Sequence, residues 1–236
     1  MMDTLLLPLV MVVSVIAALV ILLRVLAKSI VKSHVNNLLY CNYGVEVGRV
    51  TEICIDGGKC VNVSSPLKWC IGKCVNNNIA IISKSGHGFE VVIKVLRYLL
   101  REGYRLLIVS KNCGDVIKEL GINGNYVTCA NLKRVNEYIK SLITDSSKLA
   151  VFADLRDEEF VTDEVIRLTK IAGYGDSALV LLTNRSNPSL MHTIVSDAGL
   201  IIEELGNSSA KVKLVIKGRT PKELGTGVLA KTLILR

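Results

Sequence analysis

NIAIISKSGHGFEVVIKVLRYLLREGYRLLIVS, residues 78–110, carries two short apolar runs separated by a glycine-bearing turn and a helical pattern. The first run, residues 79–82, is brief and partly β-branched, which predicts a buried strand. Apolar residues recur at helical spacing from Phe89 to Glu102, Gly103 ends this helix, and residues 106–109 form the second run. The order of strand, glycine loop, helix and strand predicts a βαβ unit with the loop at the N-terminus of the helix.

The loop has the setting of a phosphate-binding loop without its chemistry. Laid on G-x-x-x-x-G-K-S/T with Gly88 as the second glycine, the motif has Ser83 in place of the first glycine. Phe89 then replaces the phosphate-binding lysine, and Glu90 replaces the hydroxyl that binds magnesium. A carboxylate there repels phosphate, so we predict a vestigial nucleotide site made of Ser83, Lys84, Ser85, Gly86, His87, Gly88, Phe89 and Glu90.

The N-terminus carries a long apolar segment. From Leu5 to Leu23 the chain has 19 residues without a charge, which extend roughly 28 Å as a helix, enough to cross a bilayer core. The alternatives are a buried core helix, which needs a polar stripe that is absent here, and a cleaved signal peptide, which does not fit Arg24 directly after the span. We predict a transmembrane anchor over residues 1–27.

The charges beside this segment predict its orientation. Arg24, Lys28 and Lys32 follow the span, whereas only Asp3 precedes it. Basic residues favour the cytoplasmic side, so we predict an N-terminus outside and a cytoplasmic C-terminal domain. Residues 28–43 are then a juxtamembrane linker, and residues 44–236 form the domain.

The seven cysteines suggest neither a zinc site nor a disulfide framework. No C-x-x-C occurs, and structural disulfides are unusual in the cytoplasm outside hyperthermophiles. A hairpin around residues 56–58 would place Cys54 opposite Cys60, where a cross-strand disulfide is one alternative and buried thiols are the favoured one. We predict no metal site.

Beyond residue 110 the chain keeps alternating between strand and helix patterns. Predicted strands lie at residues 126–129, 149–154, 178–182 and 198–203, and predicted helices at residues 132–143, 158–172 and 188–195. Residues 211–216 and 228–235 form a terminal antiparallel pair, with Pro221 and Gly225 in its turn. We therefore predict an α/β fold: a mainly parallel sheet with helices on both faces, a C-terminal antiparallel hairpin and an N-terminal transmembrane helix.

The order of these parts resembles RecA-superfamily ATPases, most closely their KaiC-like branch, over residues 78–236. Residues 149–154 resemble the Walker B strand, in which four apolar residues precede an acid, here Asp154. SDAGLII, residues 196–202, resembles the strand that follows an Asp-Ala or Asp-Gly pair in that branch. VIKGR, residues 215–219, resembles the terminal hairpin whose K-x-R pair reaches the nucleotide of a neighbouring subunit. The resemblance implies a RecA-like domain in which Lys217 and Arg219 contact a second copy.

Several departures from that family argue against hydrolysis. The lysine and the hydroxyl of the loop are missing, and Ser110-Lys111-Asn112 stands where these ATPases carry the acid that activates water. Asp154 either holds Mg²⁺ through water or is a polar strand end beside a helix. A second resemblance, to ParA/MinD ATPases, places Lys84 at their early loop lysine but leaves their second lysine unmatched.

We therefore predict a membrane-anchored, catalytically degenerate RecA/KaiC-like domain that acts as a binding or assembly module without a cofactor. Its partners are an unknown protein or further copies of this chain. The alternative is an ATPase that binds ATP and magnesium through an atypical loop. The net charge of +8 is concentrated near the C-terminus, but aromatic residues are only 5%, which argues against a nucleic-acid binder.

Overall fold

The computed structural model describes residues 3–39, 43–55, 59–72, 77–83, 86–122, 126–143, 148–157, 162–170, 176–184, 192, 198–206, 209–214 and 222–229. The chain divides into two units, Met1–Tyr40 and Cys41–Arg236.

The first unit is a single helix, α1 (Asp3–Leu39). It contains the predicted apolar segment and runs on through most of the predicted linker. Its large apolar side chains between Met11 and Ile30 are 44–67% exposed. However, among the residues that the structure describes, no helix is both long and apolar enough to cross a membrane. The transmembrane part of the fold prediction is therefore not supported, and the side chains of residues 3–10 lie outside the described ones.

The second unit begins with an antiparallel hairpin of β1 (Val45–Ile55) and β2 (Lys59–Trp69). Cys54 pairs with Cys60 and Ile55 with Lys59 in its register. The predicted hairpin and the predicted placement of Cys54 opposite Cys60 are therefore confirmed for the backbone.

The middle of the chain alternates strands and helices as the apolar pattern predicts. The strands are β3 (Asn78–Ile82), β4 (Arg105–Val109), β5 (Val127–Ala130), β6 (Leu149–Asp154), β7 (Ala178–Thr183) and β8 (Leu200–Gly206). The helices are α2 (Gly86–Arg101), α3 (Cys113–Leu120), α4 (Val135–Ile143), which follows a 3₁₀ turn at Leu132–Arg134, and α5 (Asp163–Thr169). The helix predicted over residues 188–195 lies outside the described residues except for His192.

The described strands form one sheet with the order β2-β1-β10-β9-β8-β3-β7-β6-β4-β5, in which β9 is Ser209–Leu214 and β10 is Lys222–Leu229. At one end of the sheet, neighbouring strands are parallel: β8, β3, β7, β6, β4 and β5. At the other end, neighbouring strands are antiparallel: β2, β1, β10, β9 and β8. The α/β fold with a parallel sheet and a C-terminal antiparallel hairpin is confirmed.

The predicted start of the last strand is wrong. The pattern predicts a strand over residues 228–235 with Gly225 in the turn, whereas β10 begins at Lys222 and includes Gly225. Residues 230–235 lie outside the described residues. The pairing of β10 with β9 shifts register between Glu223 and Gly225, and a glycine inside a strand often marks such a bulge. On its other side β10 pairs with β1, which joins the N-terminal hairpin to the same sheet.

The core explains why the parallel strands could be recognised. Every residue of β3 and of β7 is buried, so both strands read as continuous apolar runs. On one face, alternate residues of β3, β4, β6 and β7 form a cluster with Val135 of α4 and with Val165 and Leu168 of α5. The helix α2 buries a separate stripe that includes Val92, Leu96 and Leu99. The carboxyl ends of the parallel strands are thereby held in one rigid row.

Candidate functional site

The glycine loop after β3 begins with Ser83, whose side chain is bonded to a residue of β8. Ser83 is 2% exposed, and its Oγ donates a hydrogen bond to Glu204 Oε2 at 2.5 Å. Its backbone N–H donates to the carbonyl of Thr183 at 2.9 Å. The position of the first glycine of a phosphate-binding loop therefore holds a buried hydroxyl that is bonded to a carboxylate of β8.

Gly88 packs directly against this serine. A Cβ atom on Gly88 would lie 2.3 Å from Ser83 Cβ and 2.6 Å from Ser83 Oγ. Only glycine allows this approach, because real Cβ atoms do not come so close to other heavy atoms. The first turn of α2 is thus closed down on Ser83. Lys84 and Ser85 lie outside the described residues.

Glu90 belongs to a small charge cluster on α2. Its Oε2 lies 3.9 Å from His87 Nδ1, and Phe89 beside it is half-buried. Burial lowers the pKa of Lys94, one turn further along α2, while the charges of Glu90 and of Glu46 on β1 oppose that shift. Glu90 therefore adds negative charge beside the loop, in line with its predicted effect on phosphate.

Asp154, at the end of β6, is held by Arg156. Its Oδ1 accepts from Arg156 Nε at 2.9 Å and its Oδ2 accepts from Arg156 Nη2 at 2.7 Å. This bond to Asp154 is the main cause that raises the pKa of Arg156 above its usual value. The backbone is also fixed, because Asn184 Nδ2 donates to the Arg156 carbonyl at 2.7 Å and Leu155 N–H donates to the Leu182 carbonyl at 2.7 Å. Neither Arg156 nor Asn184 was predicted as a site residue.

A crevice of about 880 Å³ opens at the carboxyl ends of β4, β5 and β6. We call it the β4–β6 crevice; the residues that line it include Ser110, Asn112, Asn131, Lys133, Asp154, Arg156, Glu164 and Asn184. The chain leaves β4 towards β5 and leaves β6 in the opposite direction, towards β7. In open α/β sheets, ligands bind outside the carboxyl ends of strands where the order reverses in this way.

Two features border this crevice. Lys111 Nζ lies 3.6 Å from Asp157 Oδ2 at its rim, where both side chains are more than two-thirds exposed and the pair adds little stability. A disulfide joins Cys113, the first residue of α3, to Cys129 of β5, with Cα atoms 6.0 Å apart. It ties together the segments that carry Asn112 and Asn131. This pair was not predicted, since only Cys54 and Cys60 were considered as partners.

Asp154 and the glycine loop lie at the ends of different strands of the sheet, β6 and β3, with β7 between them. Asp154 lines the β4–β6 crevice, as do Ser110, Lys111 and Asn112, but none of the described residues of the glycine loop does. Lys217 and Arg219 lie outside the described residues. Within the part of the chain that the structure covers, no group of three or more acidic, histidine or cysteine side chains is placed to hold a metal ion.

Comparison with known proteins gives similarity of fold at a low level. The genome packaging NTPase B204 from Sulfolobus turreted icosahedral virus 2 aligns with 15% identity and a TM-score of 0.46, over 63% of this chain and 94% of that one. The flagellar accessory protein FlaH from Methanocaldococcus jannaschii gives 11% identity and a TM-score of 0.44, over 71% and 88%. The cytoplasmic domain of EssC gives 12% identity and a TM-score of 0.44, over 82% of this chain and 44% of that one.

All three TM-scores are below 0.5, so these similarities support no inference about family or function. No protein-family model matches the sequence, and neither does any curated protein.

Proposed function

We propose that the second unit is a catalytically degenerate, KaiC-like binding or assembly module that does not hydrolyse nucleotide. The observation that carries this proposal is the bond between Ser83 and Glu204 inside the glycine loop. A phosphate bound there would meet the carboxylates of Glu204 and Glu90 in place of a lysine and a hydroxyl. The residues present do not fit a nucleotide with magnesium, so no catalytic step is derived through one.

Calorimetry with Mg-ATP tests this proposal. The wild-type protein should give no binding signal at millimolar nucleotide, because the loop supplies negative charge where phosphate needs positive charge. The variant Ser83→Gly/Phe89→Lys/Glu90→Thr should gain binding if the backbone of the loop is otherwise preserved. A magnesium-dependent signal from the wild type that Lys84→Ala abolishes would replace this proposal with the atypical ATPase.

The proposal includes a membrane location for α1, with the C-terminal unit in the cytoplasm. It is supported by the uncharged run from Leu5 to Leu23, by the basic residues after it, and by the exposed apolar side chains of α1. Tyr43, which is 84% exposed, offers a reporter position. In a variant whose seven native cysteines are replaced by serine, Tyr43→Cys should react with an impermeant maleimide only after lysis, whereas Met2→Cys should react in intact cells. The reverse pattern would overturn the orientation.

Self-association is the assembly form of this proposal. Lys217 and Arg219 would contact Glu90 of a neighbouring copy, and confinement in a membrane would raise the effective concentration. Replacing Lys217 and Arg219 by Glu should reduce the amount of cross-linked oligomer in membranes. Adding Glu90→Lys to this variant should partly restore that amount. A protein that stays monomeric in its native membrane would leave only binding to a different protein.

A further inference from the structure

We propose that the β4–β6 crevice binds a small zwitterion of the amino-acid or short-peptide type, whose carboxylate pairs with Arg156 and whose ammonium group pairs with Glu164. This site is separate from the glycine loop, so its failure would leave the absence of nucleotide hydrolysis untouched. The proposal rests on the hydrogen-bonding capacity of one arginine, on the charge balance of the crevice and on its place in the sheet.

Arg156 presents a fixed guanidinium with one edge still available. A guanidinium has five N–H donors in a rigid plane. Asp154 accepts from Nε and from one N–H of Nη2, which occupies the side edge of the plane. The end edge, formed by Nη1 and Nη2, has no partner among the described residues. Since Arg156 lines the crevice, this edge can bind a second planar carboxylate through two parallel hydrogen bonds.

The arginine is also held in place before any ligand arrives. Asp154 fixes its side chain from one side, and Asn184 fixes its backbone carbonyl. Leu155, which precedes it, is 1% exposed and anchors the segment in the core. A donor that is already ordered loses little conformational entropy on binding, which favours recognition by this residue over the exposed lysines.

The remaining charges of the crevice favour a ligand with both signs. Among the residues that the structure describes, three cations and three anions line it: Lys111, Lys133, Arg156, Asp154, Asp157 and Glu164. Two of the acids are already paired, Asp154 with Arg156 and Asp157 with Lys111. Glu164 has no basic partner among the described residues, and it is half-buried. The Glu164 carboxylate would repel a purely anionic ligand. A zwitterion instead supplies an ammonium group that can pair with this carboxylate.

The volume and the polar walls fit the same class. About 880 Å³ is near the upper end of the range for pockets that take small molecules, so the crevice has room for a short peptide as well as for one amino acid. Asn112 and Asn131 also line it, and amide side chains donate to and accept from peptide groups. Both ligand types carry one carboxylate and one ammonium group, on the same carbon atom in a free amino acid and at the two ends of a short peptide.

Equilibrium dialysis of the full-length protein in detergent tests the inference. The probes are a random tripeptide mixture with free ends, the same mixture as C-terminal amides, the same mixture N-acetylated, and a mixture of the free amino acids. Free-ended tripeptides or amino acids should be retained at least tenfold more strongly than the blocked mixtures, because each lost charged hydrogen bond costs about a factor of ten. Whichever free-ended mixture is retained more identifies the source.

Two variants assign the contacts. Arg156→Lys keeps the charge but lacks the fork, and Glu164→Gln keeps the shape but lacks the charge; each should reduce retention about tenfold. Arg167→Lys, on an exposed position of α5 outside the crevice, is the matched control and should retain the probes as the wild type does. If Arg156→Lys unfolds the domain, Glu164→Gln decides alone. No retention of either free-ended mixture, or equal retention of free and blocked forms, would overturn the proposal.

Discussion

The glycine loop and the β4–β6 crevice lie at the carboxyl ends of different parallel strands of one sheet, and they differ in what their polar groups bind. In the loop, Ser83 bonds to Glu204, and Gly88 closes against it. In the crevice, Arg156 is fixed by Asp154 but keeps three N–H donors that no described residue accepts. The hydroxyl of Ser83 in the loop already has a carboxylate partner, whereas the guanidinium of Arg156 in the crevice is ordered and still has donors that can bind a ligand.

This difference shows that a fold can keep the backbone setting of a binding motif at one place and have binding groups available at another. The sheet keeps a strand, a loop and a helix N-terminus in the arrangement that holds phosphate elsewhere. Three replacements, serine for the first glycine, phenylalanine for the lysine and glutamate for the hydroxyl, remove the side chains that bind phosphate and magnesium in that motif. Arg156, which follows β6, keeps donors that no described residue accepts.

The largest expected effect comes from removing the disulfide beside the crevice. Replacing Cys113 and Cys129 together by Ala should lower the free energy of unfolding by about 3 kcal/mol, because the bridge closes a loop of 16 residues. Urea unfolding measures the loss. Cys70 is also disulfide-bonded, and a reductant would break that bond as well. The double variant removes only the bridge between Cys113 and Cys129.

Hydrogen exchange shows where that loss acts. Amides of residues 113–130 should exchange faster in the double variant, while those of residues 86–101 should not change. Equal loosening of α2 would mean that the two regions are mechanically coupled. If Cys113 and Cys129 of the wild-type protein react with thiol reagents in cells, the bridge is not formed there and the predicted loss is contradicted for the protein in cells.

The second prediction concerns the closed loop. Gly88→Ala should lower the free energy of unfolding by about 2 kcal/mol, because the new methyl group would overlap Ser83. Gly114→Ala is the matched control on the crevice side, since nothing lies within 4 Å of its added Cβ; it should be neutral or stabilise α3 by about 0.5 kcal/mol. Equal effects of the two changes would show that the loop is not tightly closed.

The third prediction compares one serine from each region. Ser83→Ala removes a buried donor to a carboxylate and should lower the free energy of unfolding by about 1.5 kcal/mol. Ser110→Ala removes an acceptor that receives the Asn112 N–H at 3.1 Å at an exposed site, where we expect less than about 0.5 kcal/mol. Thermal unfolding of both variants side by side measures the difference. A larger loss of stability in Ser110→Ala than in Ser83→Ala would contradict the prediction.

The smallest effect is a pH dependence from the charge cluster beside the loop. Burial lowers the pKa of Lys94 below 10.5, its value in an unfolded chain. Between the lowered pKa and 10.5 the unfolded chain binds more protons than the folded one, so stability should rise as the pH rises through this window. Lys94→Met should flatten that rise below about pH 10 in urea titrations. Above this pH a separate effect opposes it, because burial raises the pKa of Tyr104 to about 12.

Several elements could be read from residues that are close in sequence. The apolar runs of β3, β6 and β7 are buried along almost their whole length, so their composition predicts them. The helical pattern after Gly88 predicts α2, which begins only three residues before the predicted start. In contrast, α3 has eight residues and was not predicted, although Gly121 in a left-handed conformation marks its end.

The register of the terminal strands needed information from distant residues. Whether Gly225 lies in a turn or in a strand is decided by the pairing of β10 with both β9 and β1. Residues 44–50 and 227–229 are far apart in the chain, and no local pattern reports that they meet. Likewise, α5 begins at Asp163 because Thr162 caps it through Val165 N–H, which shortened the helix predicted from residue 158.

The sequence by itself determined the α/β alternation, the hairpin of β1 and β2 and the missing phosphate chemistry at Phe89 and Glu90, because each depends on local spacing and residue type. Only the tertiary structure decided which side chains fill the loop and which donors stay available. Ser83 meets Glu204 across 121 residues, Asn184 meets the Arg156 carbonyl across 28, and Cys113 meets Cys129 across 16. Such contacts follow from the strand order of the sheet, which brings distant strand ends together, and no local pattern encodes that order.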